Sequence, residues 1–250
     1  MTISKILFDM DSTIIAIDEE NFTRHYFRLL AERSFPDLPL AVISKTIMDA
    51  TKTVMIQSIP EELTMETFMR EMSPRLQQSP ENLFEIFMEF YQNHFDDLKS
   101  YIRPADGAKT VIQTCFDQGY DVVIATTPVF PEIPIKKRLL WGDVLDFDYK
   151  LITHAENMHY SKPLAEYYLE IIDMLGCEVK ECIMVGNEFI GDIVAPAKIG
   201  MKTFYCPRET VVDEMLRKIQ KEYGDIEPTY QGTLHDFEEL VKNNFADKGH

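Results

Sequence analysis

The sequence predicts an α/β fold: a Rossmann-like parallel sheet covered by helices on both faces, interrupted after its first strand by an all-helical insertion. Three observations predict it. The apolar run Ile3–Phe8 stops abruptly at acidic residues, as a buried strand does. From Ile14 to Ser100 glycine is almost absent and apolar residues fall at helical spacing. After Arg103-Pro104 short apolar strands alternate with helical stretches, the rhythm of parallel strands joined by crossovers.

Within the insertion, Phe22, Tyr26, Leu29 and Leu30 mark one helix. Ile43, Ile47, Ala50 and Val54 mark a second, Phe68 and Met72 a third, and Leu83, Phe84, Phe87, Met88 and Tyr91 a fourth. Prolines at 36, 39, 60, 74 and 80 punctuate these stretches, and Ser79-Pro80 has the form of an N-cap followed by proline at the first helical position. Beyond it, strands are expected at Asp121–Ala125, Tyr149–Ile152, Cys182–Val185 and Thr203–Tyr205. Helices are expected at Ala105–Gln118, Ile133–Trp141, Pro163–Leu175, Asp192–Ile199 and Glu209–Tyr223. Residues 1–13 and 101–250 thus form one unit, with 14–100 inserted into it.

Composition narrows the function. The net charge of −17 does not suit a nucleic-acid or anionic-membrane binder, which needs a basic face. A 45% apolar content allows a real core. No run of about 18 apolar residues predicts a membrane span, and the opening MTISKILFDMDST has neither signal-peptide nor transit-peptide character. The four cysteines, Cys115, Cys177, Cys182 and Cys206, form no CxxC pair and no zinc spacing, so a reducing cytoplasm is the expected setting. Oligomeric state is not legible.

Parallel sheets of this kind bind ligands beyond the carboxyl ends of their strands. The chain carries polar residues at each such end. Asp9 and Asp11 follow the first strand, and in an extended segment they would project together, repelling unless a cation lies between them or one takes a proton. Thr126-Thr127 closes the second strand, where hydroxyls and turn amides can hold an anion. Lys162 precedes a helix, against the helix dipole. Gly186-Asn187-Glu188, with Asp192 further on, offers oxygen to a hard cation such as Mg2+. Each pattern alone has an ordinary explanation as loop, β-former or helix cap. Together, each after a predicted strand, they describe one site.

This layout resembles the haloacid dehalogenase superfamily, whose members are mostly phosphatases. Asp9-Met10-Asp11-Ser12-Thr13 is similar to its DxDxT motif, Thr126 to its second motif, Lys162 to its third, and Gly186 through Asp192 to its fourth. The helical unit at 14–100 lies where the family inserts a helical cap, and the 36 positions from Thr126 to Lys162 leave no room for the other cap type. The resemblance implies a Mg2+-dependent phosphatase of a small phosphorylated metabolite. Asp9 would be the nucleophile and Asp11 the general acid and base, its backbone carbonyl serving the metal. Thr126, Thr127 and Lys162 would hold the phosphoryl group. Asp9, Asp11, Asn187 and Asp192 would form the metal site, with Asp192 alternatively orienting Lys162. A phosphomutase, or an inert binding protein on the same fold, is the alternative. Asn187 departs from the family's usual Asp, leaving Asn187 and Glu188 as rival ligands. Within the insertion, Arg24, His25, Arg28, Lys45 and Lys52 are candidate substrate contacts. Lys136-Lys137-Arg138 reads as a solvated helix face.

Overall fold

The computed structural model describes residues 2–56, 59–207 and 226–246. Six strands form one parallel sheet: β1 (Lys5–Phe8), β4 (Asp121–Ile124), β5 (Leu151–Ile152), β6 (Cys182–Gly186), β7 (Lys202–Tyr205) and β8 (Tyr230–Gln231). Their order across the sheet is β5-β4-β1-β6-β7-β8. The chain starts in the middle at β1, builds outward through β4 and β5, then returns to the other side of β1 with β6. The strand order therefore reverses at β1, where such sheets open a crevice. Phe8 is in register with Ile124 on one side and Val185 on the other. Two further bonds extend the ladder, Asp9 N–H to the Val185 carbonyl (2.8 Å) and Ala125 N–H to the Phe8 carbonyl (2.7 Å). Three strand tips thus end level, which delivers Asp9, Thr126 and Asn187 to one edge.

The four central strands, β4, β1, β6 and β7, are buried on both faces, as near-continuous apolar runs should be. Helices α5 (Ala108–Asp117), α6 (Glu132–Trp141), α7 (Ala165–Leu175) and α9 (Leu234–Lys242) follow the sheet, with α8 (Ala195–Lys198) a single short turn. The expected helix at Asp192–Ile199 is a π-helical turn, Phe189–Val194, continued by α8. The expected helix at Glu209–Tyr223 lies outside the described residues. β8 and α9 carry no expectation from the sequence; α9 packs Phe237 edge-on against Phe8 and Phe204.

The insertion holds α1 (Glu19–Ser34), α2 (Leu40–Ile56), α3 (Thr64–Leu76) and α4 (Pro80–Asn93), then a 3-10 segment, Phe95–Tyr101. Asp18 and Ser79 cap α1 and α4 with their side chains, and Pro80 takes the first helical position of α4. The four apolar stripes meet in one hydrophobic cluster, in which Phe87 contacts the rings of Phe35, Phe68 and Tyr91. A feature absent from the expectation closes the neck: β2 (Ile15–Ile17) pairs antiparallel with β3 (Ile102–Pro104). The insertion also touches the sheet side directly. The Thr64 hydroxyl donates to the Pro128 carbonyl (2.8 Å), Met65 N–H to the Ala155 carbonyl (2.9 Å), and Lys137 Nζ to the Gln92 carbonyl (3.0 Å). No helix among the described residues is long and apolar enough to cross a membrane.

Phe87 is 1% exposed inside this cluster, so its removal leaves a cavity that four helices cannot easily close. Phe87→Ala is expected to destabilise the chain by about 3–5 kcal/mol in urea unfolding; a loss below about 1 kcal/mol would mean that the cluster does not hold the insertion together.

Candidate active site

The chain turns as soon as β1 ends. The Met10 carbonyl accepts the N–H groups of Thr13, Ile14 and Ile15, and Ser12 sits in the left-handed region at φ 61°. This turn corrects the expectation that Asp9 and Asp11 project together. Asp9 points toward the β6 side, where its Oδ1 takes a hydrogen bond from Lys162 Nζ at 2.8 Å. Asp11 points the other way and pairs with Arg138 Nη1 at 2.7 Å. An extended segment would have aimed both the same way; the bend at Met10–Ser12 separates them.

Lys162 is 4% exposed and donates to two carboxylates, Asp9 and the fully buried Asp192, the latter at 2.6 Å. Burial alone would lower its pKa, but Asp192 and Asp9 outweigh that and hold the ammonium well above its usual value. Burial pushes Asp192 up to about 7, partly offset by Lys162. Asp192 Oδ2 accepts Glu188 N–H at 2.9 Å, so both carboxylate oxygens are engaged within the protein. Of the two expectations for Asp192, this geometry fits the orienting of Lys162. The packing is close enough that Gly186 has no alternative: a Cβ there would overlap the Asp192 carboxylate.

Asn187 and Glu188 differ in direction. The Glu188 carboxylate turns onto the turn that follows it and caps Ile190 N–H and Gly191 N–H. Asn187 is 5% exposed, and its Oδ1 accepts from the Thr13 hydroxyl at 2.8 Å, the same hydroxyl lying 3.2 Å from Asp9 Oδ2. One hydroxyl proton therefore serves two oxygens that face one small volume, a donor set of hard oxygens suited to Mg2+. Three acidic, His or Cys side chains do not converge anywhere among the described residues. A cation here would rest on one carboxylate, one amide oxygen and backbone carbonyl oxygen.

Thr127, not Thr126, lines the cleft of about 240 Å3 that holds Asp9, Lys162, Glu188 and Asp192. Thr126 is buried, and its carbonyl accepts from the hydroxyls of Tyr167 (2.9 Å) and Thr153 (2.9 Å). Tyr168 donates to the Gly191 carbonyl at 2.7 Å. Helix α7 thus pins two of the site's loops through adjacent buried tyrosines. The sequence reading missed these residues; the signal available was a Tyr-Tyr pair on the apolar side of a helix, since a buried phenol needs a partner.

Arg138 overturns the expectation for the Lys136-Lys137-Arg138 run. It is 2% exposed, donates its Nε to the Pro134 carbonyl, and lies 4.6 Å from the centre of the Phe130 ring. The signal was its place on the apolar stripe of α6 with Pro134, Ile135 and Trp141, all buried. Burial raises the Asp11 carboxyl, against the pull of Arg138, with Asp9 adding to the rise. None of the five cationic candidates on the insertion lines the Asp9 cleft or the cavity beside Asp11. Arg24 and Lys45 pair one helical turn away with Glu20 and Asp49, and His25 stacks on Tyr101.

Residues 6–206 match the family model of haloacid dehalogenase-like hydrolases. The chain belongs to this family. It is a hydrolase. Its DxDxT turn and Gly-Asn-Glu loop follow the adjacent strands β1 and β6, and its buried lysine lies in the loop between β5 and α7. Among curated relatives, it is 25% identical to pyrophosphatase PpaX of Halalkalibacterium halodurans over 223 residues, 89% of this chain and 92% of that protein. It is 22% identical to pyrophosphatase PpaX of Bacillus cereus over 211 residues, 81% and 82%. Among solved structures, the HAD phosphatase of Thermococcus onnurineus superposes with a TM-score of 0.59 at 15% identity, covering 96% of this chain and 98% of that one. YfnB of Bacillus subtilis, solved bound to magnesium, superposes with a TM-score of 0.59 at 20% identity, covering 97% and 100%. These likenesses agree with the doubly wound sheet described above.

Removing the lysine should expose the electrostatic balance. Lys162→Met leaves two carboxylates at a buried point without their cation and is expected to destabilise the fold by about 3–5 kcal/mol. Adding Asp192→Asn should recover part of that loss in urea unfolding. Strict additivity of the two substitutions would show that the buried pair is not coupled.

Proposed function

We propose that this hydrolase is a Mg2+-dependent phosphatase that cleaves a small phosphorylated metabolite through a phosphoryl group carried on Asp9, beneath the helical insertion acting as a cap. The observation that carries the reading is the Lys162 ammonium bridging Asp9 and Asp192 at the tip of β1. An aspartate placed at the sheet's switch point and held by a buried cation has the geometry of an aimed nucleophile.

Asp9 would attack phosphorus with one carboxylate oxygen while Lys162 and Thr127 hold the phosphoryl oxygens. Asp11 would donate a proton to the departing oxygen and later withdraw one from the attacking water. Its raised carboxyl supports this role, because a measurable protonated fraction must persist toward neutral pH. Asp192 would keep Lys162 in position, and Gly186 would leave room for it. Mg2+, held by Asp9, the Asp11 backbone carbonyl and Asn187 Oδ1, would offset the repulsion between Asp9 and a dianionic phosphate and polarise the phosphoryl oxygen.

Asp9→Asn is expected to lower phosphate release from an aryl phosphate by at least about a thousandfold while still melting cooperatively as a folded protein. Wild-type turnover in that variant would remove Asp9 as nucleophile. Release of free phosphate, in place of an isomerised product, separates this reading from a phosphomutase.

Chelation by EDTA should abolish turnover, and added Mg2+ should restore it. Asn187→Asp restores a charged donor and is expected to lower the Mg2+ concentration for half-maximal activity by about tenfold. No shift in that titration would mean that Asn187 does not face the metal.

A further inference from the structure

A second cavity, about 250 Å3, opens on the far side of Asp11 from the Asp9 cleft, between the helical insertion and the loop after β4. Most of its wall is apolar ring and branched chain: Phe22, Tyr26, Phe27, Ile47, Phe68 and Phe130. The Tyr26 hydroxyl is bound to the Tyr91 hydroxyl at 2.8 Å, so this phenol is not a spare polar handle. The charged groups lining the cavity among the described residues are Asp11, Glu19 and Arg138. Arg138 gives one N–H to Asp11 and another to the Pro134 carbonyl, and its guanidinium lies over Phe130. Arg138 thus uses two of its five N–H groups within the wall, and its charge is paired with Asp11.

The geometry points to a phosphomonoester whose alcohol carries an uncharged, largely apolar group, such as a ring or a branched chain, seated in this cavity. The inference rests on the phosphatase reading, in which Asp11 protonates the departing oxygen: whatever that oxygen carries must then lie on the Asp11 side. An engineered apolar cavity of about 150 Å3 takes up benzene, so the space here suits a ring with a few further atoms. A second phosphate or a carboxylate there would face Asp11 and Glu19, while the one cation among the described lining residues, Arg138, is already paired with Asp11, and burying an unpaired charge is strongly unfavourable. The hydroxyls of Thr23 and Thr51 at the cavity allow one or two polar contacts but supply no charge. The same argument disfavours pyrophosphate, the substrate named in the curated relatives.

The test is phosphate release, with Mg2+ present, from phenyl phosphate, isoamyl phosphate, methyl phosphate, 3-phosphoglycerate and pyrophosphate. Phenyl and isoamyl phosphate are expected to exceed both 3-phosphoglycerate and pyrophosphate at least tenfold in kcat/KM, with methyl phosphate falling below the two apolar esters. Thr51→Lys, which brings a cation to the cavity, and Phe27→Ala, which thins its wall, should each narrow the ratio of phenyl phosphate to 3-phosphoglycerate. Both variants are checked by thermal melt; should Phe27→Ala fail to fold, the half-buried Thr51 position carries the test. Preference for pyrophosphate or 3-phosphoglycerate, equal turnover of all five, or a ratio unmoved in a folded variant overturns the apolar-pocket inference and leaves the phosphatase reading standing. No release from any of the five by the folded wild-type protein overturns the phosphatase reading and the inference with it.

Discussion

One ammonium group between two buried carboxylates is the constraint on which the rest of this site depends. Parallel strands that end level bring their loops together, and here those loops carry Asp9 and Asp192 to the buried floor of one cleft. Two carboxylates so placed would drive the strand tips apart or force a proton onto one of them. Lys162 resolves the conflict from a third loop, at 2.8 and 2.6 Å. Local choices around it then follow. Gly186 is bare because Asp192 needs its space, Glu188 folds back to cap the turn that presents Asp192, and Tyr168 ties that turn to the helix following Lys162. The cost of burying three ionisable groups is met only because each has its partners, which makes the arrangement specific to one geometry.

The bend after β1 divides the site into two environments. On the Asp9 side the surroundings are ionic and rich in hydrogen bonds. On the Asp11 side they are aromatic, with a guanidinium lying over a ring. Asp11 stands at the boundary, its carboxyl raised by burial, held from rising further by Arg138, and pushed up again by Asp9. Two carboxylates two residues apart therefore have different chemistry because the turn gives them different neighbours. A phosphate ester has the same division in its own structure, a charged head and a leaving group of variable character.

Much of this was legible in the sequence because strand ends are marked by abrupt changes of polarity. The runs ending at Phe8, Ala125 and Val185 each stop at polar residues, and the sheet register brings those stops to one edge. What was not legible depends on side-chain direction after the strand ends. Period-two reasoning sent Asp9 and Asp11 the same way, but it applies only while the backbone stays extended. Asn187 and Glu188 could not be ranked without knowing that Glu188 has two amides within reach. Arg138 was hidden by its neighbours Lys136 and Lys137, although helical spacing places it with Ile135 and Trp141 on the buried stripe. The β2–β3 ribbon was missed because three-residue strands carry almost no periodic signal.

The fate of the cations on the helical insertion follows from the charge of the whole chain. With 42 acidic and 25 basic residues, most surface cations have a carboxylate nearby, and a helix brings such partners within one turn. Arg24, Arg28 and Lys45 each find an acid four residues away. Such pairs contribute little to stability, but they occupy those side chains on the helix surface. The insertion's contribution beside Asp11 is consequently its apolar stripe, the surface that helix packing leaves facing the core. In the proposed phosphatase, charge recognition would be concentrated in Lys162, which the strand tips already require for their own stability, and the surface facing the leaving group would discriminate by shape and by the exclusion of water.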